Sequence, residues 1–214
     1  MRKRAASICG GLRIKPPVRD KATEIHMIRH GKTAANEQRL YCGATDLPLS
    51  SGGIAELAEL KRQGIYPKRV DLFFTSGLAR AEQTLDLLYG RAQRIALPKL
   101  AEFNFGAFEM QSHEALKERG DYQAWISDES GALPCPGGES RQAFARRVAE
   151  GYGLLLEHMQ DGKDLFVVSH GGAIACIMEH LFPDTRNFYE WQPKPGRGHA
   201  LVYASSRLES HRSI

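Results

Sequence analysis

Two histidines and two arginines stand where side chains of these types can act together on an anion. Arg29-His30-Gly31 closes the apolar run Ile25-His26-Met27-Ile28, and Ser169-His170-Gly171-Gly172 closes Leu165-Phe166-Val167-Val168. Arg80 lies one turn beyond Ser76, at the end of Leu72-Phe73-Phe74-Thr75. Guanidinium groups stay charged and offer forked donors that match phosphate oxygens. A neutral imidazole can attack phosphorus and form a covalent phosphohistidine. A second, protonated imidazole can hold an equatorial oxygen as charge shifts. The leaving alkoxide then needs a proton, which a nearby carboxyl group can give and later recover from water. Glu102, in Leu100-Ala101-Glu102-Phe103-Asn104-Phe105-Gly106, is the best-placed candidate, and its flanking phenylalanines are expected to desolvate it and raise its pKa. Glu109 is its competitor.

The elements around these residues alternate. Strands are predicted over Ile25–Arg29, Val70–Ser76, Arg94–Leu97, Asp164–Ser169 and Ala200–Ala204. Between them, a helix opens at the natural cap Ser50 and closes at Gly64, and another carries Leu78, Ala81, Leu85 and Leu88 on one face. Further helices are predicted over 112–126, weakened by Gly120, over 139–159, and from Gly172 to Phe182. Strands alternating with helices imply an α/β fold, a three-layer α/β/α sandwich around a mostly parallel sheet. In such sheets ligands bind beyond the carboxyl ends of the strands, where the two histidines and two arginines lie. Helix N-termini after Gly31 and Gly172 would add backbone donors for a phosphoryl group.

Composition narrows the class. The chain has 214 residues, 42% apolar and 25% charged, enough for one sizeable core. The longest apolar run, Ala173–Met178, is far below the roughly 18 residues of a membrane span. Four cysteines (Cys9, Cys42, Cys135, Cys176) without a CxxC pair argue against a disulfide framework and for a reducing compartment, the cytoplasm. The net charge of +4 is uneven: residues 1–21 hold seven basic residues against Asp20, and the remainder holds 22 basic and 24 acidic. No nucleic-acid partner is therefore expected for the body. The domains read as a basic, disordered extension over 1–22, a catalytic domain over 23–208 and a C-terminal tail over 209–214. Oligomeric state is not legible.

Arg29-His30-Gly31-Lys32-Thr33-Ala34-Ala35-Asn36 resembles the RHGxTxxN signature of the histidine phosphatase superfamily, the phosphoglycerate-mutase-like fold. Ser76-Gly77-Leu78-Ala79-Arg80-Ala81-Glu82-Gln83-Thr84 resembles its SxLxRAxQT segment, and Ser169-His170-Gly171-Gly172 its second histidine motif. The resemblance runs from Ile25 to Tyr203, with the motifs in the family's order. It implies His30 as nucleophile, Arg29, Arg80, Asn36 and His170 as the phosphate pocket, Glu102 as proton donor and acceptor, and no metal or other cofactor.

Tyr41-Cys42-Gly43-Ala44-Thr45-Asp46-Leu47-Pro48-Leu49-Ser50 resembles a loop frequent in α-ribazole phosphatases of the cobalamin pathway. Phe105-Gly106-Ala107-Phe108-Glu109-Met110 resembles their FGDWEG stretch, Tyr122–Trp125 their YxxW element, and Pro136–Ser140 the PGGES loop of phosphatase branches. The departures are Ala107 for Asp, Phe108 for Trp and Met110 for Gly, beside the pocket, where they bear on leaving-group choice. The resemblance implies a small phosphorylated substrate, α-ribazole 5′-phosphate first. The rivals are a broad sugar-phosphate or nucleotide phosphatase, and a mutase, whose insertion after the catalytic Glu this chain is too short to carry. A phosphate-binding module without catalysis and a membrane or nucleic-acid tether through the basic extension are the readings of other classes. His26, His113, His158, His180, His199 and His211 read as packing or surface residues, as do Trp125 and Trp191.

Overall fold

The computed structural model describes residues 22–160, 162–183, 185–204 and 207–214. The basic extension over 1–22 lies, except for Ala22, outside the described residues. Strands β1 (Thr23–Arg29), β2 (Leu72–Thr75), β3 (Arg94–Ala96), β4 (Leu165–Ser169), β5 (Gly198–Ala204) and β6 (Arg207–Ser213) form one sheet in the order β3-β2-β4-β1-β5-β6. The pairs β3–β2, β2–β4 and β4–β1 are parallel, and β5 alone reverses, pairing antiparallel with β1 and β6. The helices are α1 (Ala34–Glu37), α2 (Ser51–Arg62), α3 (Ala79–Tyr89), α4 (His113–Leu116), α5 (Gly120–Ser127), α6 (Arg141–Glu157), α7 (Gly171–Leu181) and α8 (Phe188–Trp191). Among the described residues none is long and apolar enough to cross a membrane.

Alternation along the central strands builds the three layers. Ile25, Met27, Leu165, Val167 and Phe74 point into one core with Phe144, Val148 and Leu155 of α6 and Ile174 and Met178 of α7. Ile28, Phe166 and Val168 point into the other with Leu60 of α2 and Ala81, Leu85 and Leu88 of α3. Strand side chains change face at each residue, so buried strands read as nearly continuous apolar runs. Ser50 and Ser140 cap α2 and α6, each side-chain oxygen accepting the backbone N–H of the third helical residue.

Two expectations are corrected. The span 112–126 is not one helix: Arg119 is extended, so α4 stops, and α5 restarts at Gly120. Residues 209–214 are not a tail: Arg207–Ser213 pairs with β5, and His211 packs against Phe182 and Trp191.

The chain leaves β1 toward α2 on one face of the sheet and leaves the adjacent β4 toward α7 on the other. A crevice between the carboxyl ends of β1 and β4 follows from this reversal.

Candidate active site

The sheet register brings the two histidines together. Arg29 pairs with Ser169, so His30 and His170 are the next residues on neighbouring strands, and the His30 N–H donates to the Ser169 carbonyl at 3.0 Å. Their ring centroids lie 5.0 Å apart. Both rings are buried, at 4% and 0% exposure. Burial holds the His30 pKa well below its ordinary value, and the Arg80 and Arg29 charges push it the same way against a hydrogen bond to Gly31. Nδ1 lies 2.6 Å from the Gly31 carbonyl oxygen. That oxygen can only accept, so Nδ1 carries the proton and Nε2 keeps its lone pair.

His170 is neutral too, contrary to the protonated imidazole expected of it. Arg80 Nε donates to His170 Nδ1 at 3.3 Å, and Nε2 lies 2.7 Å from Ser76 Oγ. Burial lowers the His170 pKa well below its usual range, helped by His30, Arg80 and Arg29. Its proton therefore sits on Nε2.

Arg80, only 1% exposed, is the hub of the cup. Its two terminal nitrogens donate to the carbonyls of Thr45 at 2.8 Å and Gly43 at 2.7 Å. A guanidinium has five N–H groups, so one remains on each terminal nitrogen. Arg29 donates to the Pro193 carbonyl at 2.9 Å, and its buried Nε has no partner among the described residues. Asn36 closes a capping box with Thr33 through its amide oxygen, which leaves the amide N–H groups as the part that can meet an anion.

Glu102 reaches the start of α7. Its carboxylate accepts from Gly172 N at 2.9 Å and from its neighbour Phe103 N at 3.0 Å. A Cβ on Gly172 would lie 2.3 Å from Glu102 Oε1, and one on Gly171 would lie 3.0 Å from Arg29 Cζ. The paired glycines thus let a carboxylate and a guanidinium settle on one helix end. The flanking phenylalanines are engaged elsewhere: Phe103 packs with Phe105, Trp125 and Phe144, and Phe105 with Tyr41 and Trp125. Phe108 is fully buried between Tyr122 and Trp125, so this departure from the related loop falls in the core.

The structure adds residues that sequence reasoning did not single out. Arg147 of α6 donates to the carbonyls of Lys99, Ala101 and Glu102. It also forks onto Glu139, whose Oε2 accepts from Asn104 N. This pair holds the backbone on both sides of Glu102. Burial opposes the Glu139 charge, yet the Arg147 and Asn104 hydrogen bonds bring its pKa below the ordinary value. The one signal for it in the sequence is the PGGES loop that carries Glu139. Ser76, which directly follows β2, is the partner of His170. Of the other histidines, His26 and His199 are buried packing residues, and His113 bonds Tyr122 through Nδ1. Cys42 lies near the cup, with its thiol pKa raised by burial.

His30, Arg29, Arg80, His170 and Glu102 are thus brought to one end of the sheet, with Asn36 capping the helix that follows His30. Comparison with known proteins agrees. The profile of the "Histidine phosphatase superfamily (branch 1)" matches residues 25–211. An adenosylcobalamin/alpha-ribazole phosphatase of Escherichia coli (strain K12) is 35% identical over 159 residues, 72% of this chain and 77% of the relative. A 2,3-bisphosphoglycerate-dependent phosphoglycerate mutase of Bradyrhizobium diazoefficiens is 33% identical over 172 residues, 74% of this chain and 82% of the relative. The crystal structure of the alpha-ribazole phosphatase from Shigella flexneri superposes with a TM-score of 0.72 at 29% identity, covering 88% of this chain and 99% of that one. A match over nearly every described residue, with the motif histidines and arginines meeting at one crevice, makes this chain a member of branch 1 of the histidine phosphatase superfamily.

Proposed function

We propose that this phosphatase hydrolyses α-ribazole 5′-phosphate through a covalent phosphohistidine on His30. The observation that carries the mechanism is the His30 tautomer: Nδ1–H is tied to the Gly31 carbonyl, which points the chemistry to Nε2. The Nε2 lone pair attacks phosphorus, and the ester oxygen departs with its bonding pair and a proton from Glu102. Water then attacks the phosphorus, its proton passes to Glu102, and the P–N bond breaks to restore the lone pair. Arg29, Arg80 and Asn36 grip the phosphoryl oxygens, and His170 joins them when its Nε2–H exchanges Ser76 Oγ for one of those oxygens; the partnerless Arg29 Nε–H is a further donor that such an oxygen would satisfy. Fixed guanidinium charge supplies the electrostatic stabilisation, so no step calls for a metal.

The substrate reading rests on likeness to alpha-ribazole phosphatases at about 35% identity and on the Tyr41–Ser50 loop. The mutase relatives support a second reading, phosphoryl transfer between carboxylate-bearing phosphates. The short segment after Glu102 speaks against it. A pathway substrate of low molecular mass would place the protein in the cytoplasm. A panel of phosphomonoesters ranked by kcat/KM tests this. α-Ribazole 5′-phosphate is expected to lead sugar phosphates and nucleotides. Interconversion of phosphoglycerates with a bisphosphate primer at a comparable rate would favour the mutase instead.

A further inference from the structure

Glu109 competes with Glu102 for the acid role on sequence grounds, but its hydrogen bonds give it different work. Its Oε1 accepts from Ala44 N at 2.9 Å, Phe105 N at 3.0 Å and Gly43 N at 3.1 Å. Its Oε2 accepts from Gly43 N at 3.0 Å and Thr45 N at 3.3 Å. One carboxylate therefore gathers four backbone N–H groups from two separate loops. Backbone donors need such partners, and charge-assisted bonds are the strong ones.

The carbonyls of two of these residues face the cup. The carbonyls of Gly43 and Thr45 hold the two terminal nitrogens of Arg80, and Arg80 Nε holds His170. Residues 43–45 thus lie between a carboxylate on their N–H side and a guanidinium on their C=O side. The Gly43–Ala44 peptide is bonded at both ends, its N–H to Glu109 and its C=O to Arg80, so the two charges polarise it in one sense. The loop has little freedom to adopt another path: a Cβ on Gly43 would lie 1.6 Å from the Phe103 carbonyl oxygen. Phe105, tethered to the same carboxylate, is three residues past Glu102.

We infer that Glu109 is a positioning residue for phosphate recognition, setting Arg80 through the carbonyls of Gly43 and Thr45. The inference rests on the reading that Arg80 grips the phosphoryl group. It needs no contact between Glu109 and substrate and no proton transfer by it.

The test is binding of inorganic phosphate, measured by calorimetry and as a competitive inhibition constant, in Glu109→Gln, Arg80→Ala and the double variant. Glutamine keeps the shape but presents an amide N–H2 to backbone donors. It is expected to weaken phosphate binding about tenfold, the scale of one charge-assisted hydrogen bond, and to raise KM with it. In the Arg80→Ala background the same change should add little. Glu109→Asp, one methylene too short to serve both loops, is read the same way if the glutamine variant unfolds. Unchanged phosphate affinity in both Glu109 variants, or an equal loss with and without Arg80, overturns the inference. Unchanged affinity in Arg80→Ala overturns the underlying reading of Arg80 as well, so the two failures are distinct.

Discussion

Glu102 and Glu109 are seven residues apart and carry the same functional group, yet their partners separate them. Glu109 spends both oxygens on four backbone N–H groups, whereas Glu102 meets one N–H at the start of α7, beside Arg29, and one of its neighbour Phe103. A proton donor matters most when the leaving group is a poor one. Glu102→Gln is therefore expected to slow alkyl phosphates roughly 10²- to 10⁴-fold and p-nitrophenyl phosphate far less. Equal slowing of both, measured as kcat/KM, would contradict the acid role. The residue types were legible because histidine and arginine at strand ends have no structural purpose in an α/β core. Protonation was not legible: the neutral His170 follows from Arg80 Nε pointing at its Nδ1, a contact between residues 90 apart. Nor was Arg147 legible, since one of three arginines within an amphipathic helix reads as a solvated charge.

Elements with apolar faces were read well, and those held by backbone pairing were not. Strands β1, β2 and β4 and helices α3, α6 and α7 lie within a few residues of their predicted bounds because burial gives the strands an apolar run and the helices an apolar period. Strand β6 carries one aliphatic residue, Leu208, so its sequence has no such period; its ladder with β5 makes it a strand. The loop around Glu109 holds a strained position. Met110 has φ +58°, and its N–H is committed to the Tyr41 carbonyl at 2.7 Å. A side chain in this region costs about 1 kcal/mol that glycine avoids. Met110 is 38% exposed, so little packing is lost on removing it. Met110→Gly, the residue common in the related loop, is expected to raise unfolding stability by about 1 kcal/mol in urea titration. A clear loss of stability would show that Met110 contributes packing instead of strain.

Across the whole molecule, the buried imidazoles couple folding to pH. His26, His30, His170 and His199 all have pKa values lowered chiefly by burial. Unfolded histidines titrate near 6.5, so below that pH the unfolded chain binds protons that the native chain refuses. Stability is therefore fully present above about pH 6.5 and falls as pH drops toward the lowered native values. Each such imidazole steepens the fall by up to about 1.4 kcal/mol per pH unit. Urea midpoints at pH 7.5 and 5.5 should differ strongly in that direction; equal midpoints would contradict the neutral, buried assignment. The same two-faced sheet that buries these rings also sets His30 beside His170 and Arg80, and the central claim is that His30 Nε2 bonds to phosphorus. Rapid quenching during turnover of a ³²P-labelled phosphomonoester, followed by peptide mapping under basic conditions, tests it most directly. An acid-labile phosphoryl group is expected on the peptide containing His30, at Nε2. None is expected in His30→Ala, with activity lost by roughly 10⁴-fold or more. Label on another residue, or full turnover in His30→Ala, would contradict it.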